Sequence, residues 1–136
     1  MPRRILEPVK VFDAKAATGV STVLNVRDFK HLVVSTSAAA NSSLTFKFRG
    51  SSLTSAETDL TAAQAVDNQW DYVAFYDLNN PAALVTGDTG VTINNDTVAN
   101  NTVQYLINTD HLEQFAVEVT SYTDGSLTAW ISGAND

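Results

Sequence analysis

The 136-residue sequence contains no cysteine. This absence excludes disulfide bonds, zinc sites built on thiolates and cysteine nucleophiles, and it leaves the redox compartment open. Charged residues are also sparse, at 17%, whereas hydrophobic residues make up 44% of the chain. This composition and length are typical of one folded domain, which buries about two thirds of its unfolded surface and needs no crosslinks.

Long apolar runs are absent as well. No segment approaches the roughly 20 apolar residues of a membrane-spanning helix. Residues 1–8 include two arginines and two prolines but no apolar run of the length found in a signal peptide. We therefore expect a soluble protein that does not act at a membrane and is not exported through a cleaved signal.

Lysine and arginine do not occur after Arg49. The eight basic residues and the acids Glu7, Asp13 and Asp28 give the first 49 residues a charge of +5, and the other twelve acids bring the chain to −7. One interpretation is an acidic surface that keeps the protein dispersed. The other is that the basic part docks on an acidic protein surface while the acidic part faces solvent. Nucleic acid is not an expected partner, because most of the surface would repel phosphate.

Alternation of apolar and polar residues with a period of two recurs along the chain, which is typical of strands with one buried face. In the clearest run, Leu44, Phe46 and Phe48 are expected to point inward. The candidate strands are 20–27, 31–37, 44–49, 70–78, 83–86, 91–93, 103–108, 115–120 and 127–132, with a further candidate at 9–12. They predict an all-β fold, a jelly-roll-like antiparallel β-sandwich of about nine strands. Local pattern does not separate this from an immunoglobulin-like strand order.

Three segments between or before the strands carry their own predictions. Asp124-Gly125, between two alternating runs, predicts a hairpin. Residues 54–66 are rich in Ala, Glu and Gln and predict either a long loop or one short helix, with Thr54 or Ser55 as its cap. Residues 1–18 are weakly patterned and predict an extended N-terminal arm, either frayed or lying along a neighbouring subunit. Residues 19–136 then form a single sandwich domain.

A weak internal repeat is visible at an offset of 83 residues. It aligns residues 23–34 with 106–117, and residues 43–50 with 126–133, without a gap. Identities are few, but the apolar positions keep the same phase, and a slip of one residue would turn every side chain to the other face. The pattern predicts two similar units, each a strand, a turn and a hairpin, in facing positions of one sandwich. The alternative is a chance match of two amphipathic hairpins.

Catalytic motifs are missing. His31 and His111 each lie near an acid, Asp28 and Asp110, but histidines at strand entrances are usually bonded to the turn. The sequence has no Gly-x-Ser-x-Gly elbow, no phosphate-binding glycine loop and no His-Glu-x-x-His pair. We therefore predict that the protein is not an enzyme and binds no cofactor.

Two ligand-binding alternatives rest on residue type alone. Oxygen ligands for calcium are offered by Asp77, Asp88, Asn94, Asn95 and Asp96, although these are also ordinary turn residues, and no metal site is predicted. A stacking platform for sugar would draw on Trp70, Tyr72, Tyr76, Tyr105, Tyr122 and Trp130. Most of these are expected in the core, and the segment 70–75 is apolar on both faces, so its second face could be covered by another subunit. Trp130 points outward by alternation and is a candidate interface anchor.

Four segments resemble small β-sandwich virion proteins of tailed bacteriophages. They are Asn25-Val-Arg-Asp-Phe-Lys-His-Leu-Val-Val, Asn68-Gln-Trp-Asp-Tyr-Val with Asp77-Leu, Gly87-Asp-Thr-Gly-Val, and the closing strand pair. The resemblance spans about residues 20–133 and is one of pattern, so no functional residues transfer with it. It implies a virion component assembled in the host cytoplasm: a capsid decoration or cement protein, or a subunit of a head or tail appendage.

The resulting hypothesis is a capsid decoration protein whose partners are copies of itself and a major capsid or other virion protein. Its candidate interface residues are Arg3, Arg4, Lys10, Lys15 and Trp130. The basic residues would contact the shell, and Trp130 would contact sister subunits. The alternatives are a carbohydrate-binding module for adhesion and a self-assembling fibre or tail sheath subunit.

Overall fold

The alternating segments form two antiparallel sheets, and the computed structural model describes them over residues 5–54, 56, 58, 69–96 and 101–135. The twelve strands are β1 (Ile5–Lys15), β2 (Gly19–Val20), β3 (Leu24–Asn25), β4 (His31–Ala38), β5 (Ser42–Ser51), β6 (Asp71–Tyr72), β7 (Phe75–Asp77), β8 (Asn80–Val85), β9 (Val91–Asp96), β10 (Asn101–Asn108), β11 (Gln114–Asp124) and β12 (Leu127–Ala134). The predicted all-β sandwich is confirmed. The strand number exceeds nine because segments 20–27 and 70–78 are each broken in two and the N-terminal candidate is a full strand. The candidate helix at 54–66 lies largely outside the described residues.

The chain crosses between the two sheets at most of its connections. Sheet A has the order β1-β12-β4-β10-β7-β8. In sheet B, β2 and β3 both pair with β11, β11 pairs with β5, and β6 and β9 both pair with β5. The chain thus alternates between two facing sheets, and the β7–β8 hairpin lies at the end of sheet A. Within the described residues, no helix is long and apolar enough to span a membrane.

The main core lies between the sheets and is dominated by aromatic rings. Phe46 and Phe48 of β5 are fully buried and Leu44 is 3% exposed, which confirms the predicted inward face. The ring of Phe48 lies 4.9 Å from that of Phe75 and 5.9 Å from that of Phe115, between ring centroids. Tyr105 adds an edge contact to Phe75 at 5.4 Å. Aromatic pairs in these orientations stabilise a core beyond the area they bury.

The connections after β4 and β11 are corners between sheets. Asp124-Gly125 joins β11 of sheet B to β12 of sheet A, so the hairpin predicted there is wrong. Gly125 has φ +88°, and a Cβ at this position would meet the Ser42 hydroxyl at 2.1 Å. That hydroxyl accepts from the amide of Ser126 and donates to the carbonyl of Ala39, which ties the two corners together. The dipeptide encodes a tight turn, but which strands pair is decided by contacts far along the chain.

The internal repeat is present in the strand pairing. In sheet A, β4 pairs with β12 from His31 opposite Ala134 to Thr36 opposite Ala129. A shift of 83 residues converts these pairs into the pairs of β11 with β5 in sheet B, which run from Gln114 opposite Ser51 to Val119 opposite Phe46. The pairing of β10 with β4 corresponds in the same way to that of β3 with β11. The two units occupy facing positions, as predicted, but each contains a corner where a hairpin was expected.

Most of the predicted N-terminal arm belongs to the sandwich. Residues 5–15 form β1, which pairs with β12 along its length and lies at the edge of sheet A. The expected boundary at residue 18 therefore differs from the structure. Alternation is weak in this segment because the strand carries Pro8 and three register shifts, which are common devices for protecting an exposed sheet edge from pairing with other chains.

Tyr105 predicts a loss of stability at high pH. Burial, followed by the nearby carboxylate of Asp77, raises the pKa of Tyr105 to about 12. Because the folded state holds this proton more tightly than the unfolded state, the free energy of unfolding should be unaffected by Tyr105 below pH 10 and should fall by roughly 2 kcal/mol as the pH rises toward 12. Urea unfolding at several pH values measures this fall. Tyr105→Phe should show a smaller one, and an equal fall in the variant would contradict the assignment.

Candidate protein-interaction surface

The outer face of sheet A, without its edge strand β1, is here called the A face and consists of the outward side chains of β12, β4, β10 and β7 together with Leu84 of β8. In β12, for example, Ala129 and Ile131 are fully buried whereas Trp130 between them is 41% exposed. The other members are Thr128, Ser132, Ala134, His31, Val33, Ser35, Ser37, Thr102, Gln104, Leu106, Asn108, Tyr76 and Leu84. The A face therefore contains no Lys, Arg, Asp or Glu, although the chain carries a net charge of −7.

A continuous apolar band crosses the A face. Val33 lies opposite Leu106, Leu106 opposite Tyr76, and Tyr76 opposite Leu84, so the four side chains stand at one level on four neighbouring strands. Cross-strand neighbours at one level contact each other on the same face of a sheet. Leu84 is 56% exposed at the end of this band. Contiguous exposed apolar surface of this kind marks interaction sites in soluble proteins.

Trp130 and a hollow beside Gln104 stand at the neighbouring level of the A face. Trp130 lies opposite Ser35, and Ser35 lies opposite Gln104. The Gln104 amide donates to the Ser35 hydroxyl at 2.9 Å, which holds the two side chains together. The hollow adjoining Gln104 has a volume of about 430 Å³, and among the described residues Leu78, Asn79, Thr102 and Val103 also line it. The A face thus has a projecting indole on one side of β4 and a concave region on the other.

The repeat makes the outer face of sheet B an internal comparison for the A face. At the positions equivalent to Trp130, Ser132 and Ser35, sheet B has Lys47, Arg49 and Glu118. These three charged residues point outward from β5 and β11, where the matching residues of sheet A are neutral. The two faces share backbone geometry but differ in chemistry, so the absence of charge belongs to the A face specifically.

The charged residues of sheet B form a connected cluster. The Arg49 guanidinium donates to the Glu118 carboxylate and, at 3.0 Å, to the Tyr72 hydroxyl, which in turn donates to Glu118 at 3.0 Å. The Lys47 ammonium lies 4.7 Å from the centre of the Tyr72 ring. Burial, followed by the hydrogen bond to Glu118, raises the pKa of Tyr72. Because Arg49, Glu118 and Tyr72 bond to one another and are largely buried, we interpret this cluster as structural.

Part of sheet B's outer face is covered by the chain itself. Trp70 is 8% exposed and packs with Ala56 and Ala116. The segment 70–75 then passes from sheet B to sheet A, so Phe75 enters the main core. The interpretation that another subunit covers the second face of this segment is therefore wrong around Trp70, because residues of the same chain do so.

The structure brings together two of the five predicted interface residues. Lys10 lies opposite Trp130, and its ammonium stands 5.1 Å from the centre of the indole ring. Lys15 is instead near Phe12, 5.9 Å from the ring centre. Arg3 and Arg4 lie outside the described residues.

Two basic residues of the N-terminal part of the chain lie against acids of the C-terminal part. Arg27 pairs with Glu113 at 3.1 Å, and Arg49 pairs with Glu118, so basic residues of the first half meet acids of the second. The reason is the pairing of strands from the two repeat units.

The A-face residues that sequence reasoning missed are the apolar band: Val33, Leu106, Tyr76 and Leu84. The sequence does contain a pattern that indicates two of these outward apolar residues, Val33 and Leu106. Leu32-Val33-Val34 and Leu106-Ile107 are consecutive apolar residues inside strands, and such runs place apolar side chains on both faces of a sheet.

The ligand-binding alternatives find no assembled site among the described residues. No three His, Asp or Glu side chains of that part of the chain lie close enough to hold a metal ion, and the side chains of Asn95 and Asp96 fall outside it. His31 is half-buried at the start of β4, whereas His111 is exposed. Of the six aromatic residues considered for sugar stacking, Tyr76 and Trp130 share the A face, whereas Trp70 and Tyr105 are buried.

The chain was compared with known proteins. No family model and no curated protein matches it. Among solved structures, the SPBc2 prophage-derived protein YomS superposes with a TM-score of 0.67 at 14% identity, over 99% of this chain and 96% of YomS. The PBSX exported protein XepA superposes with a TM-score of 0.70 at 13% identity, over 99% of this chain but only 39% of XepA. YomS is named as a prophage-derived protein and XepA as an exported protein. At these identities the likeness establishes a shared fold.

Proposed function

We propose that this protein is a non-enzymatic structural component of a bacteriophage virion that decorates the capsid exterior by binding the shell and sister subunits. The observation that carries the proposal is the A face, an uncharged surface with an apolar band on an otherwise acidic chain. A structure with this fold, YomS, is named as prophage-derived, which supports an association with phage.

The proposed mechanism is burial of surface repeated by symmetry. Each square ångström of apolar surface removed from water contributes about 25 cal/mol. Exposed apolar residues such as Trp130 and Leu84 would therefore each add a modest amount at a subunit contact. Many copies bound to one particle convert such contacts into a substantial total stabilisation. Lys10, at the edge of the A face, and Lys15 would contribute contacts to an acidic shell surface.

Counting the copies of this chain in purified particles tests the proposal. We expect hundreds of copies per particle for a decoration protein, measured by quantitative mass spectrometry. Chymotrypsin or Asp-specific cleavage is required because trypsin has no site after Arg49. A handful of copies would reassign the protein to a tail or receptor-binding appendage. Complete absence from the particle would overturn the virion role.

A further inference from the structure

We propose that two copies of this chain pack A face to A face about a two-fold axis that runs along β4, with Trp130 of each copy seated in the hollow beside Gln104 of the other. The inference rests on the proposed function for the role of the A face as a binding surface. It adds that the partner bound at the A face is a second copy of this chain, and it specifies which residues of the two copies face each other.

The charge of the A face fits a second copy. In a two-fold interface the same patch faces itself, so a charged residue at the centre meets its own like charge. The A face itself carries no Lys, Arg, Asp or Glu, so two copies with a net charge of −7 each meet at its centre without like charges facing each other. Lys10 of the edge strand β1 lies at the rim of the contact, 5.1 Å from the centre of the Trp130 ring. The equivalent surface of sheet B holds Lys47 beside the already buried Arg49–Glu118 pair, so a two-fold contact there would bury the Lys47 charge of each copy.

The strand register fixes the placement of the two copies. Trp130, Ser35 and Gln104 stand at one level on β12, β4 and β10. Neighbouring strands are about 4.8 Å apart, so the indole and the Gln104 side chain lie at about equal distances on opposite sides of β4. Rotation about an axis parallel to β4 brings β12 of one copy over β10 of the other. Each indole then faces the hollow of about 430 Å³, while Ser35 and Val33 meet their own copies near the axis.

The dimensions of the A face reach the minimum for a specific dimer. The strands β12, β4 and β10 have eight residues each, and at about 3.3 Å per residue and about 4.8 Å between strands they cover roughly 380 Å². With the shorter β7 and β8 the face offers about 500 Å² per copy, or about 1,000 Å² in total, which is about the smallest area expected of a biological interface. Aligned sheets pack about 10 Å apart with interdigitating side chains, a spacing that a projecting Trp and a facing hollow satisfy.

Sedimentation equilibrium of the full chain tests the dimer. We expect wild type to be dimeric, and Trp130→Ala to weaken the dimer by roughly 30-fold, as loss of a buried aromatic anchor does. Leu53→Ala is the matched control, because Leu53 is 43% exposed, close to the 41% of Trp130, but follows β5 on the other sheet. It should leave the dimer unchanged, and circular dichroism should show all variants folded. A monomeric wild type, or equal effects of the two variants, would overturn the inference.

A pair of complementary variants tests the register. Trp130→Lys and Gln104→Glu should each be mainly monomeric alone, because one loses the anchor and the other places a carboxylate under it. Mixed together they should form a heterodimer, in which Lys and Glu meet on one side and the native Trp130–Gln104 contact is kept on the other. No heterodimer on mixing would refute the proposed axis. A chain found in particles but monomeric in solution would reject only this inference, whereas a dimer absent from particles would reject only the virion role.

Discussion

Phe48→Ala is expected to destabilise the protein by about 3–5 kcal/mol, the range for truncating a buried Phe. Phe48 is fully buried and its ring contacts those of Phe46, Phe75, Tyr105 and Phe115. The substitution removes these contacts and leaves a cavity where both sheets meet. Because a domain of this size is stable by only about 5–15 kcal/mol, this loss is a large fraction of its free energy of unfolding.

Urea unfolding monitored by tryptophan fluorescence measures this loss as a lower midpoint with an unchanged slope. Leu53→Ala is the control, since the Leu53 side chain is 43% exposed and its truncation should change the free energy of unfolding by less than about 0.5 kcal/mol. A cost for Phe48→Ala below about 1.5 kcal/mol would mean that the core does not depend on the Phe48 ring.

Arg49→Ala is expected to cost about 3 kcal/mol, because it leaves a charge buried without its partner. The Arg49 side chain is 6% exposed and that of Glu118 is 14% exposed. Without the guanidinium, the Glu118 carboxylate keeps the hydrogen bond from Tyr72 but loses its cation. The same measurement of unfolding in urea gives this value.

Two further variants show whether the cost of Arg49→Ala comes from an unpaired buried charge or from lost packing. Arg49→Met with Glu118→Leu removes both charges and should restore stability to within about 1 kcal/mol of wild type, since apolar residues of similar size replace buried pairs well. Lys10→Ala, at an exposed pair with Asp13, should change stability by less than about 1 kcal/mol. If the double variant is as unstable as Arg49→Ala, the cost comes from lost packing.

Local sequence pattern predicted the inward faces of the core strands but not the corners between the two sheets. The inward phase of Leu44, Phe46 and Phe48 was predictable because a strand alternates its faces whatever it pairs with. The corner at Asp124-Gly125 was not, because a tight turn serves a hairpin and a crossing between sheets equally well. Only the pairing of β11 with β5 and of β12 with β4 decides between them.

The A face was partly predictable. Trp130 was singled out as an outward aromatic from alternation alone, and the structure leaves it 41% exposed. Its relation to Ser35, Gln104 and the hollow was not predictable, because these residues come from strands separated by up to 95 positions in the chain. The ion pairs of Arg27 with Glu113 and of Arg49 with Glu118 were not predictable either, because they join residues that are far apart in the chain.

The sequence by itself determined the all-β class, most of the strands, the buried face of each clear strand and the repeat at 83 residues. These follow from a period of two and from turn chemistry, which act between residues close in the chain. The tertiary structure alone decided the strand order, the place of β1 in the sandwich, the Arg49–Glu118–Tyr72 cluster and the neutral A face. Each of these depends on which distant strands become neighbours, a choice made by the packing of the whole core.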